Sequence, residues 1–244
     1  MIRENSPLLR MPTALIPQQL VLFDGIRHAA EISWLAFRRL DVNLTWLADA
    51  TADDPERKDM MTAAYLDAWS LVDAVDRFRS LWKIIPRPDG AMPPPGTVTF
   101  QDISSDVRMV RNVTDHLATR IDYVVAKGSP TMGALTWVTF ESTERTRFKT
   151  CAMTAGTART GNWEVVNPVG QELVIGPSGR TAQIHIAAGE YRANLSKLIP
   201  EMEKRIKSLE RDLEATFQNH NVGELQAGTD YLIVMDGMIE PVGK

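Results

Sequence analysis

Between residues 18 and 49 the apolar positions recur at steps of three and four: Phe23, Ile26, Ala30, Phe37, Leu40, Leu44 and Leu47, with Trp34 beside them. That spacing lays one apolar face along an α-helix and predicts a single long bundle helix. The run Asp49-Ala50-Thr51-Ala52-Asp53-Asp54 breaks the pattern. Asp54 suits the N-cap of a second helix and Pro55 its first turn. This helix is expected to reach about Ile85, with Met61, Ala64, Ala68, Val72, Val75 and Trp82 on one side. Pro86, Pro88 and Pro93-Pro94-Pro95, with Gly90 and Gly96, then predict a loop, because proline cannot continue a helix. Thr99 and Asp102 signal the start of a third helix. Its stripe steps alternately by four and three through Ile103, Val107, Val110, Thr114, Leu117, Ile121 and Val124, and Gly128 and Pro130 end it.

The period then changes. Leu135 to Phe140 and Arg147 to Thr154 are rich in β-branched and aromatic residues with partial alternation, which predicts strands. Trp163 to Val166, Leu173 to Ile175 and Thr181 to Ala187 read as further short strands, the last two joined tightly by Gly176-Pro177-Ser178-Gly179. Helix returns from about Asn194 to Phe217, with Pro200 in or near its first turn or at a kink. Its narrow stripe is Met202, Ile206, Leu209 and Leu213. The tail, Tyr231 to Glu240, resembles a hairpin turning at Asp236-Gly237.

The predicted class is α+β: an up-and-down helical bundle with a small antiparallel β-sheet insertion and a C-terminal helix. Residues 1–128 form the bundle. Residues 129–244 form a β-rich appendage plus a helix able to complete that bundle. Composition narrows the function classes. A single cysteine, Cys151, excludes a disulfide framework and any Cys-based zinc site, and reads as a small core residue. His28, His116, His185 and His220 include no pair at metal-ligand spacing, so no metal or other cofactor is expected. Phosphate-loop, dinucleotide-binding and serine-elbow motifs are absent. The net charge of −4 argues against broad electrostatic binding of nucleic acid. No apolar run approaches the ~18 residues of a membrane helix, and three prolines before Gln19 break any signal-peptide helix. Together with the lone cysteine this predicts a cytoplasmic protein without a membrane partner.

One cluster on the third helix carries candidate chemistry: Arg111-Asn112-Val113-Thr114-Asp115-His116. The Arg-to-His spacing alone is not selective, because Arg180 and His185 share it in a strand-like segment. The Asn after the Arg and the amphipathic helical setting set the first match apart. It resembles the motif of the HEPN superfamily (higher eukaryotes and prokaryotes nucleotide-binding), and the resemblance covers about 18–128, joined by 194–219. Many members have an aromatic residue two positions after the His, where this chain has Ala118. The resemblance implies an up-and-down bundle of about four helices. It also implies either a metal-independent endoribonuclease acting as a homodimer in a toxin or defence setting, or a member that has lost catalysis and serves in interaction and dimerisation.

In the ribonuclease reading, Arg111 supplies a forked cation for the scissile phosphate. His116, which titrates near neutrality, moves the proton, and the RNA 2′-OH is the nucleophile. Asn112 orients the His or the phosphate. Arg108 and Arg120 are the candidate substrate-binding cations. Asp73 and Asp76, which interrupt the apolar run of the second helix, can orient Arg111 if the helices meet there. On a straight helix Arg111 and His116 stand about 140° apart, so a composite cleft between two copies suits them better than a pair within one chain. The plain alternatives are ordinary ion pairs: Arg111 with Asp115, and Asp73 or Asp76 with Arg77 or Arg79. Candidate partners are thus a second copy, RNA, and a protein partner or antitoxin. A third reading places a small ligand at the junction of bundle and sheet. Arg145, Arg147 and Lys149 form a basic patch near the first hairpin, solvated or in contact with RNA.

Overall fold

The computed structural model describes residues 1–85, 97–156, 167–168, 172–219, 227 and 230–235. The two long stripes fold as predicted: α1 spans Pro17–Asp49 and α2 spans Arg57–Trp82. Ile26, Leu40 and Leu44 of α1 and Ala68, Val72 and Val75 of α2 are fully buried against each other's side of the bundle. The second helix starts later than expected: its N-cap is Glu56 rather than Asp54, Pro55 lies ahead of it, and Asp54 accepts the Glu56 N–H at 3.0 Å in the turn before. The Pro-rich segment lies outside the described residues, as do Trp163 to Val166 and His220.

The third helix departs from expectation. It is three pieces, α3 (Phe100–Ile103), α4 (Ser105–Asp115) and α5 (Leu117–Ala126). Thr99 and Asp102 do start it, through a reciprocal cap in which Asp102 accepts the Thr99 N–H at 2.8 Å. Backbone angles at Ser104, His116 and Arg120 are non-helical and interrupt it. Val107, Val110 and Val124 are buried as predicted, while Val113, off the predicted stripe, is buried too and Ile121 is exposed.

Four strands form one antiparallel sheet in the order β2-β1-β3-β4. They are β1 (Ala134–Phe140), β2 (Phe148–Thr154), β3 (Thr181–Ala188) and β4 (Tyr191–Asn194). β1 pairs with β2 from Ala134 opposite Thr154 to Phe140 opposite Phe148. Its pairing with β3 shifts between Thr136 and Val138, where Gln183 and Ile184 of β3 oppose Trp137 alone, a bulge in β3. Leu135, Trp137, Met153, Ile184 and Ile186 join the same buried cluster as α1 and α2. Helix α6 (Leu195–Asn219) carries Pro200 inside its N-terminal part and buries Leu198, Met202 and Ile206 in that cluster. Of the predicted strand at Leu173 to Ile175 only an isolated bridge from Ile175 to Ala182 forms. Tyr231 to Met235 are exposed and form no strand, and the rest of that hairpin lies outside the described residues. Among the described residues no helix is long and apolar enough to cross a membrane.

The Gly176-Pro177-Ser178-Gly179 turn anchors the sheet to α1. Asp41 is fully buried and accepts the Ser178 N–H at 2.6 Å and its hydroxyl at 3.0 Å. Gly176 lies so close to the Asp41 carboxylate that a Cβ there would meet Asp41 Cγ at 2.7 Å. Burial holds the Asp41 pKa above the ordinary carboxylate range, and the Ser178 hydrogen bonds only partly offset this. A raised folded pKa adds stability at acid pH that is lost as pH rises through the folded value. Asp41→Asn is therefore expected to melt at pH 7 within about 1 kcal/mol of the parent and no lower than it. Thermal melts at pH 7 and pH 5 check this, and a deficit that grows with pH contradicts it.

Candidate functional site

Helices α2 and α4 meet at the residues marked by the motif. Arg111 Nη1 donates to Asp76 Oδ2 at 2.8 Å. Its Nε lies 2.8 Å from Asp73 Oδ1 and 3.1 Å from Asp115 Oδ2, as ion-pair contacts. Asp76 is nine-tenths buried, and Arg79 Nη1 approaches its other oxygen at 3.8 Å. The hydrogen bond to Asp76, reinforced by the charges of Asp73 and Asp115, raises the Arg111 pKa against the opposing effect of burial. Two guanidiniums thus face three carboxylates, leaving an excess of negative charge.

The local sequence explains the arrangement. Asp73 and Asp76 are three apart on α2, on neighbouring turns of one face, and Asp115 is four beyond Arg111 on α4. The apolar residues Val72 and Val75 of α2 and Val107 and Val110 of α4 are buried in the common core. Their packing brings the two helices close enough for the Arg111 fork to span them.

His116 is placed differently. It is the joint between α4 and α5, with φ −107° and ψ 23°. Its carbonyl accepts the Thr119 N–H and the Thr119 hydroxyl, each at 3.0 Å, and so holds the first turn of α5. Its imidazole is exposed and makes no hydrogen bond among the described residues. The estimate of 140° between Arg111 and His116 assumed an unbroken helix and does not apply across this joint. Asn112 is half-buried, and its side chain makes no hydrogen bond among the described residues. Arg108 is exposed without an ion pair among them. Arg120 is also exposed, at the third break, where its charge reaches Tyr191 of β4. Of the seven candidate residues, the structure brings together Arg111, Asp73 and Asp76. Among the described residues, His116, Asn112, Arg108 and Arg120 make no hydrogen bond or ion pair with them.

The competing Arg180 and His185 pair is structural. Arg180 bonds the Phe140 carbonyl at 2.9 Å and Asp49 at 2.8 Å. His185 Nδ1 bonds the Gln183 carbonyl at 2.9 Å within the sheet.

A second set of residues escaped the sequence reading. A cavity of about 510 Å³ opens between the α1–α2 connection and β2, lined by Leu47, Arg57, Met61, Trp137 and Cys151 among others. These come from four separate stretches of chain, the end of α1, the start of α2, β1 and β2, so no sequence signal marks them. Arg27 was also missed. It is almost fully buried and holds the Asp230 carboxylate with both terminal nitrogens at 2.8 Å. Among the described residues no cluster of three or more His, Cys, Asp or Glu has the arrangement of a metal site. Comparison with protein-family models, curated proteins and solved structures gives no match.

Proposed function

We propose that this chain is a non-catalytic helical interaction module of HEPN-like type, in which the Arg–His motif serves packing rather than phosphate chemistry. The carrying observation is the ring of Asp73, Asp76 and Asp115 around Arg111. A phosphate that reached Arg111 would meet those carboxylates as well. At ~5 Å and an effective dielectric near 20, each such repulsion is about 3 kcal/mol. A guanidinium already bonded to a buried carboxylate has little left to give a developing negative charge. Ala118, in place of the aromatic residue common in the family, agrees with lost catalysis. The module's partners are a second copy of the chain and another protein, in the cytoplasm.

One observation favours the ribonuclease reading as the alternative. Among the described residues the exposed His116 imidazole has no hydrogen-bond partner, and Arg108 of the adjoining α4 has no ion-pair partner. In a dimer, His116 of one copy could serve a phosphate held by the other. Incubating the purified chain with mixed RNA in EDTA separates the two. The expected result is no cleavage above that of a preparation carrying both Arg111→Ala and His116→Ala. Cleavage that each single variant abolishes while its fold survives would establish the ribonuclease.

A further inference from the structure

Among the described residues β2 is an edge strand, and the backbone groups of its outer side pair with no other described strand. The cavity beside it is lined by five consecutive residues, Thr150 to Thr154. Successive strand side chains point to opposite faces, so a space touching all five runs along the strand's edge rather than over one face. A second cavity of about 380 Å³ continues it past Thr154 to Gly156, sharing Arg57, Met61 and Thr154. The groove follows about 17 Å of strand, the length of five extended residues.

Its polar lining has a definite sign. Arg57 bonds only the Thr51 carbonyl, at 3.3 Å, and Lys58 lines the outer part; neither makes an ion pair among the described residues. Among the described residues Asp54 is the one carboxylate lining the same wall, which leaves two cations against one anion. Trp137 of β1 lines the inner part, opposite Cys151, and its buried Nε1 has no acceptor among the described residues. The strand's one charged residue, Lys149, is paired with Asp49. β2 carries no acidic residue, so a second copy pairing edge to edge brings no carboxylate from that strand to Arg57 and Lys58.

We propose that the outer edge of β2 is a docking site for an extended acidic peptide segment of a partner protein. The segment adds as a fifth strand and sets a carboxylate against Arg57 and Lys58. Main-chain hydrogen bonds supply the affinity, and the cations and the Leu47–Met61–Trp137 wall select the side chains. The inference rests on the interaction-module reading and identifies the surface and the partner chemistry. Lys149 does not block the edge, because its ammonium is turned to Asp49 and the Ala48 carbonyl.

The test is selection of random octapeptides displayed on phage against the full chain, followed by binding of the synthesised winners. They are expected to be rich in Asp and Glu and to alternate apolar residues. Arg57→Glu with Lys58→Glu is expected to weaken them about tenfold or more with an unchanged melting temperature. Cys151, the chain's only cysteine, reports occupancy: bound peptide should slow its alkylation by iodoacetamide about threefold or more, read at alkaline pH because burial pushes the thiol pKa up. Recovery of no peptide overturns the site. So does recovery of peptides that bind the double variant equally and leave Cys151 alkylation unchanged, or of an edge that binds RNA instead. If any of these occurs in a chain that cuts no RNA, the docking site fails and the module reading stands. Cleavage of RNA in EDTA with peptide still bound at β2 overturns the non-catalytic reading and supports the site.

Discussion

Replacing Arg111 with alanine is expected to cost about 2 kcal/mol of folding stability. Asp76 is nine-tenths buried, and Arg111 donates its one directed hydrogen bond from the α4 side. Removing one partner of a buried pair costs about 3–5 kcal/mol because the other charge stays buried and unpaired. A third of the Arg111 side chain is in solvent, and Arg79 lies within 3.8 Å of Asp76, so the cost falls below that range. For a chain of this length the melting temperature should drop by roughly 4–8 °C. His116→Ala should change stability by less than about 0.5 kcal/mol, since only its backbone makes contacts. Thermal melts of the two variants side by side check the contrast. Equal stabilities of Arg111→Ala and the parent would show that the clamp is not structural.

Acid should weaken the fold through His185. Burial first, and then the charge of Arg192, push its pKa from 6.5 down to about 4, while the Gln183 carbonyl acts the other way. The folded state refuses a proton that the unfolded chain accepts. Stability is therefore intact above pH 6.5 and falls as pH drops toward about 4. A shift of that size corresponds to about 3 kcal/mol at most, and about 2 kcal/mol for a half-buried ring. Asp41 and Asp67, held above the ordinary carboxylate range by burial, contribute with the opposite sign. They cancel when the parent is compared with His185→Gln, whose amide can still donate to the Gln183 carbonyl. Urea midpoints from pH 7 to pH 4 should fall more steeply for the parent by about 2 kcal/mol. Parallel curves would contradict the buried-neutral assignment.

The long helices α1 and α2 were legible because each buries one continuous stripe, so spacing and burial report the same face. The strands β1, β2 and β3 were legible from their β-branched and aromatic runs. The third helix was not, because its pattern stays regular through Ile121 while the backbone breaks at Ser104, His116 and Arg120. Neither glycine nor proline marks these breaks. β4 was missed because Tyr191 to Asn194 is too short to show a period, and partners in β3 set its pairing. Within the motif, Asp73 and Asp76 were visible as carboxylates interrupting an apolar run, and Asp115 as an i,i+4 neighbour. That all three converge on one guanidinium depends on how α2 and α4 pack. The β2 groove draws on residues far apart in the chain, and only the folded sheet assembles it.

The claim that Arg111 serves the α2–α4 contact is tested most directly by a double-mutant cycle of Arg111→Ala and Asp76→Ala, read by urea unfolding of the full chain. The clamp predicts a coupling of about 2 kcal/mol, so that the double variant is scarcely less stable than the worse single one. Two single effects that simply add, with a coupling below about 0.5 kcal/mol, would contradict it.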